Sequence, residues 1–128
     1  LLLQNICKQI GFSQGLLYLK HTDQNPIMFK IAAKYAFIGE LSQIDTVETG
    51  YGINGQAAAL GEPVYIQDVP KGYMKIVSGL GEAIPDYLLI LPFKKENQVM
   101  GFLEFSGFGG LNKEEINAID KVINKVFA

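Results

Sequence analysis

Few side chains in this 128-residue chain have types suited to chemistry on their own. Cys7 is the one cysteine and His21 the one histidine. A zinc site of the usual kind needs three or four Cys and His ligands, which this pair does not supply. A lone thiol forms no intramolecular disulfide, so a reducing compartment, the cytoplasm, is expected. All 11 basic residues are lysines. Without Arg, the planar fork that grips phosphates and guanine edges in a bidentate way is missing. The net charge is −2 and the lysines are scattered, so no surface for nucleic acid is expected.

Three features could still form a site. The first is Gly50-Tyr-Gly52-Ile-Asn-Gly55, which matches the glycine spacing of a dinucleotide cradle, with Asp68 further on. The second is an irregular stretch, 68–85, where Pro70, Gly72, Gly79, Gly81 and Pro85 interrupt any periodicity. A stretch of that length in a small domain is typically a lid or binding loop. Beneath it, Tyr51, Gly52, Ile53, Tyr73, Met74, Ile76, Ser78 and Leu80 either line a small-molecule pocket or form ordinary core. The third is Glu104, which alternates with Met100, Phe102 and Ser106 and so projects from a mostly apolar strand face. A carboxylate there needs a partner or a wet cavity. It either anchors a ligand or pairs with Lys30 or Lys34 across the sheet, and the lysine pair is the plainer reading.

The elements that must position these residues read as one α+β domain spanning 1–128. Leu2, Leu3, Ile6 and Ile10 recur at helical spacing, and Gly11 ends that helix. Strands follow at 15–20 and 27–37, joined by the polar turn His21 to Pro26, where His21 faces water. In the second strand Phe29, Ile31, Ala33, Tyr35 and Phe37 are expected on one face, with Lys30 and Lys34 on the other. A short strand at 44–48 leads into the glycines, and a helix over 56–60 is stopped by Gly61 and Pro63. That helix is too short to cross over to a parallel strand, which argues against a nucleotide cradle. Strands at 64–66, 87–93 and 99–108 complete the sheet. Asn112 and Glu115 form a capping box for a last helix, which Leu111 staples at Ile116. Its apolar stripe is Ile116, Ile119, Val122, Ile123, Val126 and Phe127. The longest dense apolar run, 87–93, falls far short of the ~20 residues of a membrane helix, so no membrane contact is expected. A chain that starts Leu-Leu-Leu without Met reads as a piece of a longer protein.

The run from Gly50 to Asp68 resembles the central segment of GAF domains. There a Gly-x-Gly-Ile-x-Gly turn starts a short helix ending in Gly, and Pro-Val and a strand ending at Asp follow. Leu88-Leu-Ile-Leu-Pro-Phe93 and Val99-Met-Gly-Phe-Leu-Glu-Phe105 are similar to the family's later strands. The resemblance implies a central antiparallel sheet with the N- and C-terminal helices on one face. On the other face a pocket covered by loops and a short helix is implied. It also implies a small-molecule-sensing regulatory domain, as found in sensor histidine kinases, phosphodiesterases, phytochromes and transcription activators. A homodimer through the terminal helices and a fused effector follow from the same resemblance. So does the alternative of a module without ligand that only dimerises and relays. A PAS-type sensor is a further alternative, against which the terminal helices weigh. The cyclic-nucleotide signature is not assembled, since Asn112-Lys113 lies in a helix cap. Bilin attachment is not expected of Cys7, which reads as a buried structural residue, nor haem ligation of His21. The family's methionine sulfoxide reductase branch needs attacking and resolving thiols, so no enzyme is expected here. The ligand stays unidentified.

Overall fold

The structure, a computed structural model, describes residues 2–22, 24–37, 44–73, 76–78 and 81–128, with the backbone alone at 76–78 and 81. The elements in chain order are α1 (Leu2–Ile10), β1 (Gln14–Lys20), β2 (Met28–Tyr35), β3 (Thr46–Glu48), α2 (Gly52–Leu60), β4 (Val64–Ile66), β5 (Ile76–Ser78), β6 (Gly81–Ala83), β7 (Tyr87–Lys95), β8 (Gln98–Gly107) and α3 (Lys113–Phe127). Six strands form one antiparallel sheet in the order β3-β2-β1-β8-β7-β4. Its central strands are long and apolar, whereas the edge strands β3 and β4 have three residues each. Short edges offer little template for unwanted pairing with another chain.

Alternation along the central strands divides the core in two. On one face Leu89, Leu91, Phe93, Leu103 and Phe105 pack beneath Leu3, Ile6 and Cys7 of α1 and Ile119 and Ile123 of α3. On the other, Leu16, Tyr18, Phe29, Ile90 and Phe102 pack against Val47 and against Ala57 and Ala58 of α2. The terminal helices therefore share a face, and α2 covers the opposite one. This is the α+β arrangement that the resemblance implies.

Three local expectations are revised. The helix after the glycines is nine residues, not five, because it begins inside the glycine stretch at Gly52. Within 68–85, β5 and β6 pair as a small separate hairpin. Finally, β2 does not keep one apolar face. Leu17 pairs with Ala33 and Tyr18 with Ile31, so Ala32 is an extra residue that bulges. A bulge reverses the side-chain alternation beyond it. Phe29 and Ile31 accordingly join the α2 side, whereas Ala33 and Tyr35 join the side of the terminal helices.

The last helix begins as the sequence predicts. Asn112 Oδ1 accepts from the Glu115 N–H at 2.8 Å, and Glu115 Oε1 accepts from the Asn112 N–H at 2.9 Å. Leu111 and Ile116 both pack against the core beneath. The C-terminus of α2 is also as expected, with Gly61 left-handed at φ 69° and its N–H on the Ala57 carbonyl. Two substitutions test these local arguments by chemical denaturation. Asn112→Ala removes the cap and costs about 1 kcal/mol. Gly55→Ala would gain up to about 1 kcal/mol from helix propensity alone. A Cβ at Gly55 meets the backbone carbonyl of Glu48, however, so the net effect is a loss of about 1–3 kcal/mol.

Candidate functional site

The glycine stretch serves to bring the start of α2 against β3. Gly50 and Gly52 take left-handed backbone conformations, φ 90° and 71°, that residues with a Cβ rarely adopt. Gly55 has no side chain where α2 passes the Glu48 carbonyl. The turn closes with the Gly50 N–H on the Gly55 carbonyl at 2.7 Å and the Tyr51 N–H on the Glu48 carbonyl at 3.1 Å. Tyr51, the N-cap residue, places no side chain on the helix end. The first turn of α2 is thus held close to the sheet with its N-terminus open.

Between that turn and the sheet lies a cavity of about 350 Å³. Leu16 and Tyr18 of β1 and Glu104 of β8 form its sheet side. Ile44, Thr46, Val47 and Glu48 line it from the β3 side, and Tyr51, Gly52 and Asn54 from the start of α2. Tyr73 closes it from the segment that precedes β5. Leu16 and Glu104 are cross-strand partners, as are Glu104 and Ile90, so the carboxylate sits in the middle of the sheet.

Glu104 is 2% exposed. Its Oε1 accepts from Asn54 Nδ2 at 3.2 Å, and its Oε2 from the Tyr73 hydroxyl at 3.0 Å. Asn54 is oriented for this role, because its Oδ1 accepts from the Gly55 N–H at 2.8 Å and so turns the amide nitrogen toward Glu104. Burial raises the Glu104 pKa, and the two hydrogen bonds oppose that rise. Burial likewise raises the Tyr73 hydroxyl, and the Glu104 charge adds to the effect. Both tyrosines near the carboxylate, Tyr18 and Tyr73, therefore stay neutral. The lysine pair expected for Glu104 is not formed. Its partners are Asn54 and Tyr73, and Lys30 and Lys34 are exposed.

Of the candidate site residues, Tyr51, Gly52, Tyr73 and Glu104 meet at this cavity. Ile53 does not line it and packs against the core cluster beneath α2 instead. Met74 and Leu80 lie outside the described residues, as do the side chains of Ile76 and Ser78. Sequence reasoning missed Asn54 and Tyr18. Asn54 is the one amide within the glycine spacing, a polar residue on a helix that must face the core, and that is the signal it offered. Tyr18 carried none, being one apolar position of a strand among several. Cys7 and His21 are both remote from the cavity. The Cys7 thiol is buried under α1 on the opposite face of the sheet, and desolvation pushes its pKa up to about 12. His21 is exposed in its turn.

A purely structural carboxylate and one kept for a ligand respond oppositely to Glu104→Gln. The raised pKa means that the folded state binds the Glu104 proton more tightly than the unfolded chain does. Stability from this group is therefore full below the ordinary carboxylate value of 4.5 and is lost as pH rises through the folded value. The amide does not titrate. The expected outcome of thermal melts is that Glu104→Gln is more stable than the native chain at neutral pH. That advantage shrinks as the pH falls toward 4.5. A variant less stable than the native chain at neutral pH would mark Glu104 as structural.

The family model described as GAF domain matches residues 1–124. No curated protein matches the sequence. Solved structures share the fold at low identity. The GAF domain of a phosphoenolpyruvate-protein phosphotransferase from Coxiella burnetii superposes with a TM-score of 0.73 at 16% identity, covering 94% of this chain and 73% of that one. The NreA protein of Staphylococcus aureus, mutated in its nitrate-binding site, gives 0.68 at 16% identity, over 94% and 92% of the two chains. A free methionine-R-sulfoxide reductase of Neisseria meningitidis in complex with its substrate gives 0.69 at 18%, over 98% and 75%. Sheet order, helix placement and family model agree, and the chain belongs to the GAF domain family.

Proposed function

We propose that this GAF domain is a non-catalytic, small-molecule-sensing module of a longer cytoplasmic signalling protein, with a sensor histidine kinase as its effector. The observation that carries the reading is the cavity of about 350 Å³ around a buried carboxylate held by side chains from two other segments. Its volume lies at the small end of ligand pockets, which suits a small metabolite better than a nucleotide, bilin or haem. The position of Glu104 supports a relay as well as a sensor. Glu104 faces the cavity, while its neighbours Leu103 and Phe105 point through to the core shared with α1 and α3. A ligand that moves β8 on one face must repack the terminal helices on the other, since close-packed interiors transmit displacement. Cys7 supports the non-catalytic reading, because the chain's only thiol is across the sheet from the cavity.

The homodimer belongs to this reading, on the exposure of Leu2, Ile10, Val122 and Val126 on the terminal helices. Leu3, Ile6, Ile119 and Ile123 are used up in the protein's own core, so any helical interface would be built from those four outer residues and their neighbours. Native mass spectrometry of freshly purified protein tests the sensing function. The expected result is a small-molecule adduct that is released on denaturation and is reduced in Glu104→Gln. A clean apo mass, with no thermal shift across a metabolite panel, would overturn it in favour of a relay without ligand.

A further inference from the structure

The cavity has a sign. Among the described residues, two carboxylates, Glu48 and Glu104, line it and no lysine does. Asp45 is near enough to act on the Tyr18 hydroxyl. The chain has no Arg with which to reverse that balance. The open N-terminus of α2 contributes roughly half a positive charge, which does not offset two carboxylates. An anion entering here would meet Glu48 and Glu104, with no fixed cation among the described residues to hold it.

The aromatic content points the same way. Tyr18, Tyr51 and Tyr73 line the cavity from three separate segments. Aromatic rings present negative faces, and a cation near several of them gains from each. Tyr51 is 69% exposed and stands at the mouth, whereas Tyr18 and Tyr73 are deeper. Glu104 also has capacity left. A carboxylate offers about four acceptor sites, of which Asn54 and Tyr73 occupy one on each oxygen. The remaining lone pairs suit a donor that brings several N–H groups and a positive charge, as an ammonium does. Burial disfavours the charged form of Glu104 in the free protein, and a cation beside it reverses that penalty.

We infer that the cavity binds a small organic cation, a protonated amine or quaternary ammonium, with Glu104 as the anchor and Tyr18, Tyr51 and Tyr73 as the aromatic surround. The inference rests on the sensing function proposed above and gives its ligand a chemical class. A volume of about 350 Å³ corresponds to roughly ten waters, which limits the occupant to a compact metabolite.

The test is calorimetric titration of the native chain, Glu104→Gln and Tyr51→Ala with n-butylammonium, tetramethylammonium, butyrate and nitrate, with circular dichroism to establish that each variant is folded. The expected result is that at least one cation binds the native chain and neither anion does. Glu104→Gln weakens that binding by at least about tenfold. Tyr51→Ala, whose exposed ring the fold does not need, weakens it about two- to fivefold. Cation binding that is unchanged in Glu104→Gln and Tyr51→Ala, or no cation binding at all, would overturn the inference. Binding of butyrate or nitrate in place of the cations would also overturn it, yet would leave the sensing function standing. That function fails separately, on a clean apo mass without thermal shifts.

Discussion

The arrangement of this domain turns on a carboxylate buried in the middle of an otherwise apolar sheet face. Burying an ionisable group without partners is costly, and a well-packed hydrophobic residue at position 104 would fit the surrounding Leu16, Phe102 and Ile90. The fold surrounds Glu104 with two donors from outside the sheet. Asn54 comes from the first turn of α2 and Tyr73 from the segment after β4. Asn54 reaches the carboxylate because the backbone around it is shaped to allow it. For Asn54 the shaping is done by glycine: left-handed turns at Gly50 and Gly52, and a bare backbone at Gly55 against the Glu48 carbonyl. The glycine spacing is therefore a seating device for a helix, and its likeness to a dinucleotide cradle is one of spacing alone.

Much of the fold was legible because it rests on short-range rules. The Asn112–Glu115 capping box, the left-handed stop at Gly61 and the apolar runs of β7 and β8 are each written in a few adjacent residues. What was not legible depends on residues far apart in the chain. The bulge at Ala32 follows from how β2 must register against β1, and a period-two pattern read along β2 alone assigns Ala33 and Tyr35 to the wrong face. The early start of α2 was missed for another reason: Gly52 is a poor helix former with a left-handed backbone, and the turn that precedes the helix is closed by the Gly50 and Tyr51 N–H groups on the Gly55 and Glu48 carbonyls.

The site divides along the same line. Glu104 stood out because a charge on an apolar strand face breaks a local pattern. Its partners could not be named from sequence, because they lie 50 and 31 residues away. A lysine on a neighbouring strand was the nearest complementary charge to expect, and the sheet offers Lys34 on the same face, opposite Leu16. The structure instead satisfies Glu104 with neutral donors and keeps it in a cavity. Neutral donors bring no positive charge of their own to Glu104, and that is the ground on which a cation is proposed for the cavity.

The central claim is that Glu104 is held for a ligand and reports its arrival across the sheet. Carbon-13 NMR of the Glu104 side-chain carboxyl, recorded with the backbone amides during titration with n-butylammonium, addresses both halves together. The account predicts that the carboxyl resonance shifts, and that the amides of Leu103 and Phe105 and of the buried face of α3 shift with it at the same saturation. A carboxyl resonance that stays in place while the titration is carried to high concentration would contradict it.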